Sequence, residues 1–320
     1  MRTYLVAFLM ALGIAALATP IALQIGRRLH LYDAPDGRRK IHTGLIARTG
    51  GLAIAAGFLA PLLGLLFVGN AFAADLKANE ARMTAFLAGA VAILLLGVYD
   101  DVRGVGAGGK LVVQTAVGGL LWWAGLRFET VTLGGDVIAF GMWSLPLTML
   151  WVAGIINAMN LIDGLDGLAA GVAFFAALSL FIISLLDGNM MLGLFAAALA
   201  GSVLGFLFYN FAPALIFMGD SGSMTIGYVF AAAALWSAGK RSTALALALP
   251  VLALGLPIAD TVLAFTRRTL SGQSPFHSDR KHIHHRLLDA GMSQRKAVLV
   301  LYGLCLTLTV VVVVIRMYAW

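Results

Sequence analysis

Three short stretches of this chain set carboxylates where chemistry on a cation or a phosphate needs them. The first is the pair Asp100-Asp101. The second, residues 157–168, reads NAMNLIDGLDGL, with Asn157 and Asn160 three apart and Asp163 and Asp166 repeating the spacing. The third, Phe217-Met218-Gly219-Asp220-Ser221-Gly222-Ser223, puts an acid between glycines. Helix capping and turns account for one Asp in each stretch. They do not account for paired acids beside glycine, because neighbouring like charges are costly unless a cation or a proton relieves them. A hard divalent cation, Mg²⁺ first and Mn²⁺ as its substitute, is the simplest relief. Asn157 and Asn160 share a helix face and offer neutral donors to phosphate oxygens beside the acids. The amides opening a helix after Gly219 would likewise favour an anion. An EF-hand is excluded, since its twelve-residue pattern ending in Glu is missing.

Basic groups complement these acids. Residues 277–286 read HSDRKHIHHR and hold four of the six histidines, including His282, His284 and His285. Clustered histidine can bind zinc. Here Arg280, Lys281 and Arg286 stand inside the cluster and would repel a dication, so a pyrophosphate is the better fit. The loop 38–51 carries Arg39, Lys40, His42 and Arg48, for which phosphate binding and a topology signal weigh evenly. Gly104-x4-Gly109-Lys110 imitates a P-loop, but Leu111 stands where that motif needs Ser or Thr. Lys110 remains a candidate phosphate contact. Asp260 lies inside an apolar run, which makes it either a functional acid or a structural one, making a hydrogen bond or serving as a snorkelling partner for Arg267 or Arg268.

The elements that must hold these groups are membrane helices. Of 320 residues, 61% are hydrophobic and 12% charged, and mean hydropathy is +0.93. Soluble domains run at about 45–50% apolar and about 25% charged. The net charge of +7 therefore speaks of membrane sidedness before nucleic acid, which is not expected as a partner. The one cysteine, Cys305, sits in an apolar run and excludes a disulfide framework.

Ten apolar segments approach the ~20 residues that a bilayer core demands. They are 4–26, 50–70, 82–99, 110–126, 143–160, 168–186, 190–209, 222–238, 243–265 and 297–318. The first resembles a signal peptide at its start but continues to Arg27-Arg28, as a retained span does. Alternating loops then place fifteen of the twenty-two Lys and Arg on one side, counting Lys110 with the loop it borders. By the positive-inside rule that side is cytoplasmic and both termini lie outside. The three acid stretches and the histidine segment share this side. Residues 127–142 alternate around Gly134-Gly135 and predict a small external hairpin. The expected fold is one all-α polytopic membrane domain spanning 1–320.

In this order, on alternate loops of one side, Asp100-Asp101, the 157–168 stretch, Phe217–Ser223 and His282-Ile283-His284-His285 resemble the polyprenyl-phosphate N-acetylhexosamine-1-phosphate transferases. The resemblance covers essentially the whole chain. Arg39-Lys40-Ile41-His42 and the histidine segment look more like the branch using UDP-GlcNAc than the peptidoglycan branch, whose substrate is UDP-MurNAc-pentapeptide. The resemblance implies Mg²⁺ on Asp220 with Asn160 beside it, and Asn157 near the diphosphate. It implies essential roles for Asp163 and Asp166, the latter near uracil, with Asn210 and Phe217 lining the uridine pocket. Asp100 and Asp101 would engage metal or the lipid phosphate. His282, His284 and His285 would form the essential histidine segment. Lys40 and Arg48 correspond loosely to a basic first-loop site, and Arg280 belongs with the substrate-binding cations. The implied partners are UDP-N-acetylhexosamine, undecaprenyl phosphate and the bilayer of a bacterial cytoplasmic membrane; a homodimer is allowed. An oxygen of the lipid phosphate would attack the sugar-side phosphorus directly and release UMP. The rival readings are the peptidoglycan enzyme, an ion-coupled transporter using Asp260 and the loop acids, and a purely structural membrane protein.

Overall fold

The computed structural model describes residues 1–33, 45–67, 71–133, 136–238, 254–270 and 282–318. These form twelve α-helices and two small antiparallel sheets. The helices are α1 (Arg2–Arg28), α2 (Gly50–Gly64), α3 (Ala71–Ala78), α4 (Glu80–Arg103), α5 (Ala107–Trp123) and α6 (Ser144–Ile162). They continue with α7 (Leu168–Asp187), α8 (Met190–Asn210), α9 (Gly219–Ala238), α10 (Gly255–Leu270), α11 (Ile283–Asp289) and α12 (Gln294–Tyr318). The strands are β1 (Tyr32–Asp33), β2 (Ile46–Ala47), β3 (Thr130–Leu133) and β4 (Asp136–Ala139).

Each of the ten apolar segments overlaps a helix, although 243–253 lies outside the described residues. Six helices among the described residues are long and apolar enough to cross a membrane: α1, α4, α6 with the turn before it, α7, α8 and α12. The segment 50–70 stops being α-helical at Gly64, one turn past Pro61, and continues as a 3₁₀ turn, Leu65–Phe67. The short helix α3 then follows. The expected hairpin is present, with Thr130 opposite Ala139 and Leu133 opposite Asp136.

Helix starts are where the structure differs most from expectation. α5 begins at Ala107 and α9 at Gly219, three residues ahead of the apolar segments in each case. Lys110 and Asp220 are thus first-turn helical residues, not loop residues. Apolarity locates what is buried in lipid or core, whereas a helix continues into water as long as its backbone amides find partners.

α9 is the central helix. Its Tyr228, Phe230 and Trp236 are fully buried, and it packs against α2, α4 and α6. α8 is buried along most of its length between α1, α2 and α7. On α1 the alanines 7, 11 and 15 form the inward stripe, so the backbones meet closely, as membrane helices do when small residues line the contact. At the end carrying the acid stretches, the loop from α8 to α9 is strapped down. Ile216 bridges β2 at Ala47, and the amides of Gly50 and Gly51 opening α2 donate to the carbonyls of Phe217 and Met218 at 2.9 Å each.

Candidate active site

The two neighbouring acids at the end of α4 point to different tasks. Both oxygens of Asp101 accept backbone N–H groups from the start of α9: Asp220 N at 2.9 Å and Ser221 N at 3.0 Å. These amides were expected to favour an anion, and the anion they meet is a carboxylate of the chain itself. Such an approach requires α4 and α9 to touch backbone to backbone. At Gly97, one turn before Asp101, an added Cβ would lie 2.3 Å from Ser221 Cα. Asp100 instead accepts the Val105 amide and meets Lys110 Nζ at 2.6 Å.

Lys110 Nζ also contacts the carboxylate of Asp220, so one ammonium bridges acids from α4 and α9. In this structure it serves as the counter-ion of both acids. The carboxyls of Asp100 and Asp220 lie within hydrogen-bonding reach of each other, as like charges do only around a shared cation or proton. Arg48 reaches Asp101 at 3.6 Å and Asp33 at 3.3 Å. Asp163 caps the C-terminus of α6 and is half-buried, yet the protein crowds its carboxyl. Burial first, then the charges of Asp220 and Asp101, push its pKa up to about 8 against the opposing pull of Arg48.

The amides divide. Asn160 donates to Ser223 Oγ at 2.9 Å and also bonds the Asp220 carboxylate, so it belongs to the acid cluster. Asn157, one turn deeper, donates to Gln114 Oε1 at 2.6 Å in a polar pair between α5 and α6. Asp166 and Asn210 join two loops. Asp166 accepts the Ala214 amide at 3.0 Å, while Asn210 accepts the Gly167 amide at 3.1 Å and donates to the Ile216 carbonyl at 2.9 Å. Tyr302 on α12 donates to the Gly167 carbonyl at 2.6 Å and pins the same loop. Phe217 is half-buried, with its backbone amide on the Ala47 carbonyl at 2.8 Å.

The histidine segment folds back as the short helix α11, anchored by the acid inside α10. Asp260 accepts the Ile283 amide at 2.8 Å and contacts His282 Nδ1 at 2.8 Å. Of the roles open to Asp260, these contacts show the structural hydrogen bond. The His282 and His284 rings stack 5.8 Å apart, and His284 abuts Gly164, where an added Cβ would lie 2.4 Å from its Nε2. Burial, and then the charge of His285, depress the His284 pKa to about 4, so this imidazole is neutral at pH 7. Its Nδ1 is buried with no hydrogen-bond partner among the described residues. Lys40 and Arg280 lie outside the described residues.

The arrangement gathers Asp100, Asp101, Asn160, Asp163 and Asp220, edged by Lys110 and Arg48, with His284 against the 163–167 loop. Converging carboxylates beside cations suit a polyanion bound together with a metal. A model of glycosyl transferase family 4 matches residues 83–238, from α4 to the end of α9. Over 299 residues the chain is 39% identical to the "probable undecaprenyl-phosphate N-acetylglucosaminyl 1-phosphate transferase" of Bacillus subtilis (strain 168), covering 93% of this chain and 80% of that protein. The chain belongs to glycosyl transferase family 4.

This transferase is also 36% identical over 313 residues to the decaprenyl-phosphate N-acetylglucosaminephosphotransferase of Mycobacterium leprae (strain TN), covering 89% of this chain and 77% of that one. It is 28% identical over 287 residues to the undecaprenyl-phosphate alpha-N-acetylglucosaminyl 1-phosphate transferase of Escherichia coli (strain K12), covering 86% and 74%. It is a phosphoglycosyl transferase. The transporter and structural-protein readings fall with that assignment. Sequence reasoning missed the bridging place of Lys110 and the supporting Gln114, Ser223 and Tyr302. Only Lys110 had a signal, a cation ten residues after Asp100 across a glycine-rich turn.

Proposed function

We propose that this transferase moves GlcNAc-1-phosphate from UDP-GlcNAc to undecaprenyl phosphate at the cytoplasmic face of a bacterial membrane. The products are UMP and a lipid-diphosphate sugar that starts a cell-envelope polysaccharide. One observation carries the reading: Asp100, Asp163 and Asp220 converge from three parts of the chain on a site where, among the described residues, a single lysine bridges Asp100 and Asp220. The relatives' names, all polyprenyl-phosphate N-acetylglucosamine phosphotransferases, support the sugar and the lipid class.

The donor set fits Mg²⁺. No group of three His, Cys, Asp or Glu poised around a common point occurs among the described residues. Mg²⁺ usually takes one or two carboxylates and completes its shell with water and substrate phosphates. Asp220, with Asn160 beside it and Asp100 across from it, would hold the ion, which would neutralise charge on the diphosphate. The chain's own work is alignment. In the proposed reaction a lipid-phosphate oxygen forms a bond to the sugar-side phosphorus while the bond to the UMP oxygen breaks. Asp100 orients the incoming phosphate, and Lys110 and Arg48 offset the negative charge that gathers.

An apolar groove of about 440 Å³ between α6 and α10 supports a prenyl acceptor. Trp151, Ile155 and Ala158 line one wall and Ile258 and Val262 the other, so it adjoins both Asn157 and Asp260 in sequence. The test is UMP release with undecaprenyl phosphate and a panel of UDP-sugars. Turnover of UDP-GlcNAc is expected. Exclusive turnover of UDP-MurNAc-pentapeptide would overturn the assignment in favour of the peptidoglycan enzyme.

A further inference from the structure

Asp100 and Asp101 are adjacent in sequence and both end α4, where the helix dipole disfavours negative charge. Each needs compensation, and they find it in different places. Asp100 faces the ammonium of Lys110 and the carboxyl of Asp220. Asp101 turns the other way, onto the positive end of α9. Its two oxygens take the two successive amides of Asp220 and Ser221 at 2.9 and 3.0 Å, and its side chain is only 4% exposed. The fit is tight. Gly219 has φ +68°, and a Cβ there would lie 2.5 Å from an Asp101 oxygen. α9 therefore starts against this carboxylate, with no Cβ between them.

We propose that Asp101 is a positioning residue: from α4 it caps α9, and so fixes the direction in which Asp220 presents its carboxylate, without itself touching substrate or metal ion. The cap lies 119 residues away in sequence from the amide of Asp220. Helix N-caps are ordinarily supplied by the residue just before the helix, here Met218, which has no oxygen in its side chain. Because Asp220 carries the cap amide and the functional carboxylate on one residue, loosening the first acts directly on the second. The inference rests on the reading of Asp220 as the cation-holding acid, but the cap itself does not.

Hydrogen exchange of the full-length protein in nanodiscs, without substrate, tests the cap alone. Asp101→Ala is expected to speed exchange at the Asp220 and Ser221 amides by about tenfold or more, the scale of losing two charge-assisted bonds. Asp100→Asn is expected to leave those amides unchanged. Asp101→Asn keeps one acceptor oxygen. It should retain turnover within about tenfold of the parent and keep the shape of the pH profile, while requiring more Mg²⁺ for half-activation. Unchanged exchange in Asp101→Ala overturns the proposal. So does an Asp101→Asn protein that keeps parental exchange yet loses turnover more than about a thousandfold, since that marks a group acting on the substrate. Should UDP-GlcNAc prove not to be the donor, the exchange results still stand and only the identity of the reaction changes.

Discussion

Two ends of the molecule bury carboxylates at helix termini, and they treat them differently. At the end away from the acid stretches, Asp187 closes α7 and meets Arg316 of α12, its Oδ1 taking Arg316 Nε at 2.7 Å; both side chains are 9% exposed. A guanidinium there matches a carboxylate. At the other end Asp100, Asp101, Asp163 and Asp220 crowd together. Among the described residues the cations paired with them are Lys110 and Arg48, and Arg48 also pairs with Asp33. A matched pair closes a structure. An undermatched cluster holds attraction in reserve, as the proposed binding of a cation and phosphates requires.

The strongest way to break this comparison is Asp220→Ala. UMP release is expected to fall by about 10²–10³-fold, the scale of removing one preorganised electrostatic group, while the protein still inserts and folds. Normal turnover would remove Asp220 from the site. Lys110→Met should come next, with a loss of about 10–100-fold, because Asp100 and Asp220 then repel without their shared ammonium. Its partial recovery at raised Mg²⁺ would sharpen the view that the lysine stands in a cation's place.

The outer pair should behave in the opposite sense. Asp187→Asn takes the negative charge out of the buried pairing with Arg316 and is expected to cost about 2 kcal/mol of stability, the scale of a hydrogen bond to a charged group, read as a lower melting temperature in detergent. Turnover per folded molecule should stay within about twofold, inside the range of ordinary surface substitutions. A selective loss of turnover would erase the contrast between the two ends.

The smallest expected effect concerns Asp163. Its folded pKa is raised to about 8, against an unfolded value of about 3.9. Between these values the folded state holds a proton that the unfolded state has released, so stability falls as pH rises through that window and levels off above it. Asp163→Asn should flatten this decline without divalent cation, raising the melting temperature at pH 8 by a few degrees. Added Mg²⁺ should narrow the gap. A parallel decline in both proteins would show that Asp163 is already ionised at neutral pH.

Much of the site was legible because acids are rare in this chain. In lipid, where each charge is costly, Asp100, Asp163 and Asp220 on one side could be connected by sidedness alone. The hairpin at 127–142 was legible from alternation around two glycines. What each group contacts was not. Asp100 and Asp101 are the same residue type in adjacent positions, and only the crossing of α4 over α9 at Gly97 separates their tasks. For Asp260 a structural hydrogen bond was one reading open from sequence, but its partners, His282 and the Ile283 amide, lie 22 and 23 residues on and were not legible.

By itself the sequence determined that the chain lives in a membrane, that its acid stretches belong together, and which chemistry they suit. These follow from hydropathy and charge, properties each residue carries wherever it is placed. The tertiary structure decided which acid serves the site and which builds it, and it made Lys110 a bridge. Those outcomes depend on ångström-scale approaches between helices far apart in the chain, which spacing along one segment does not encode.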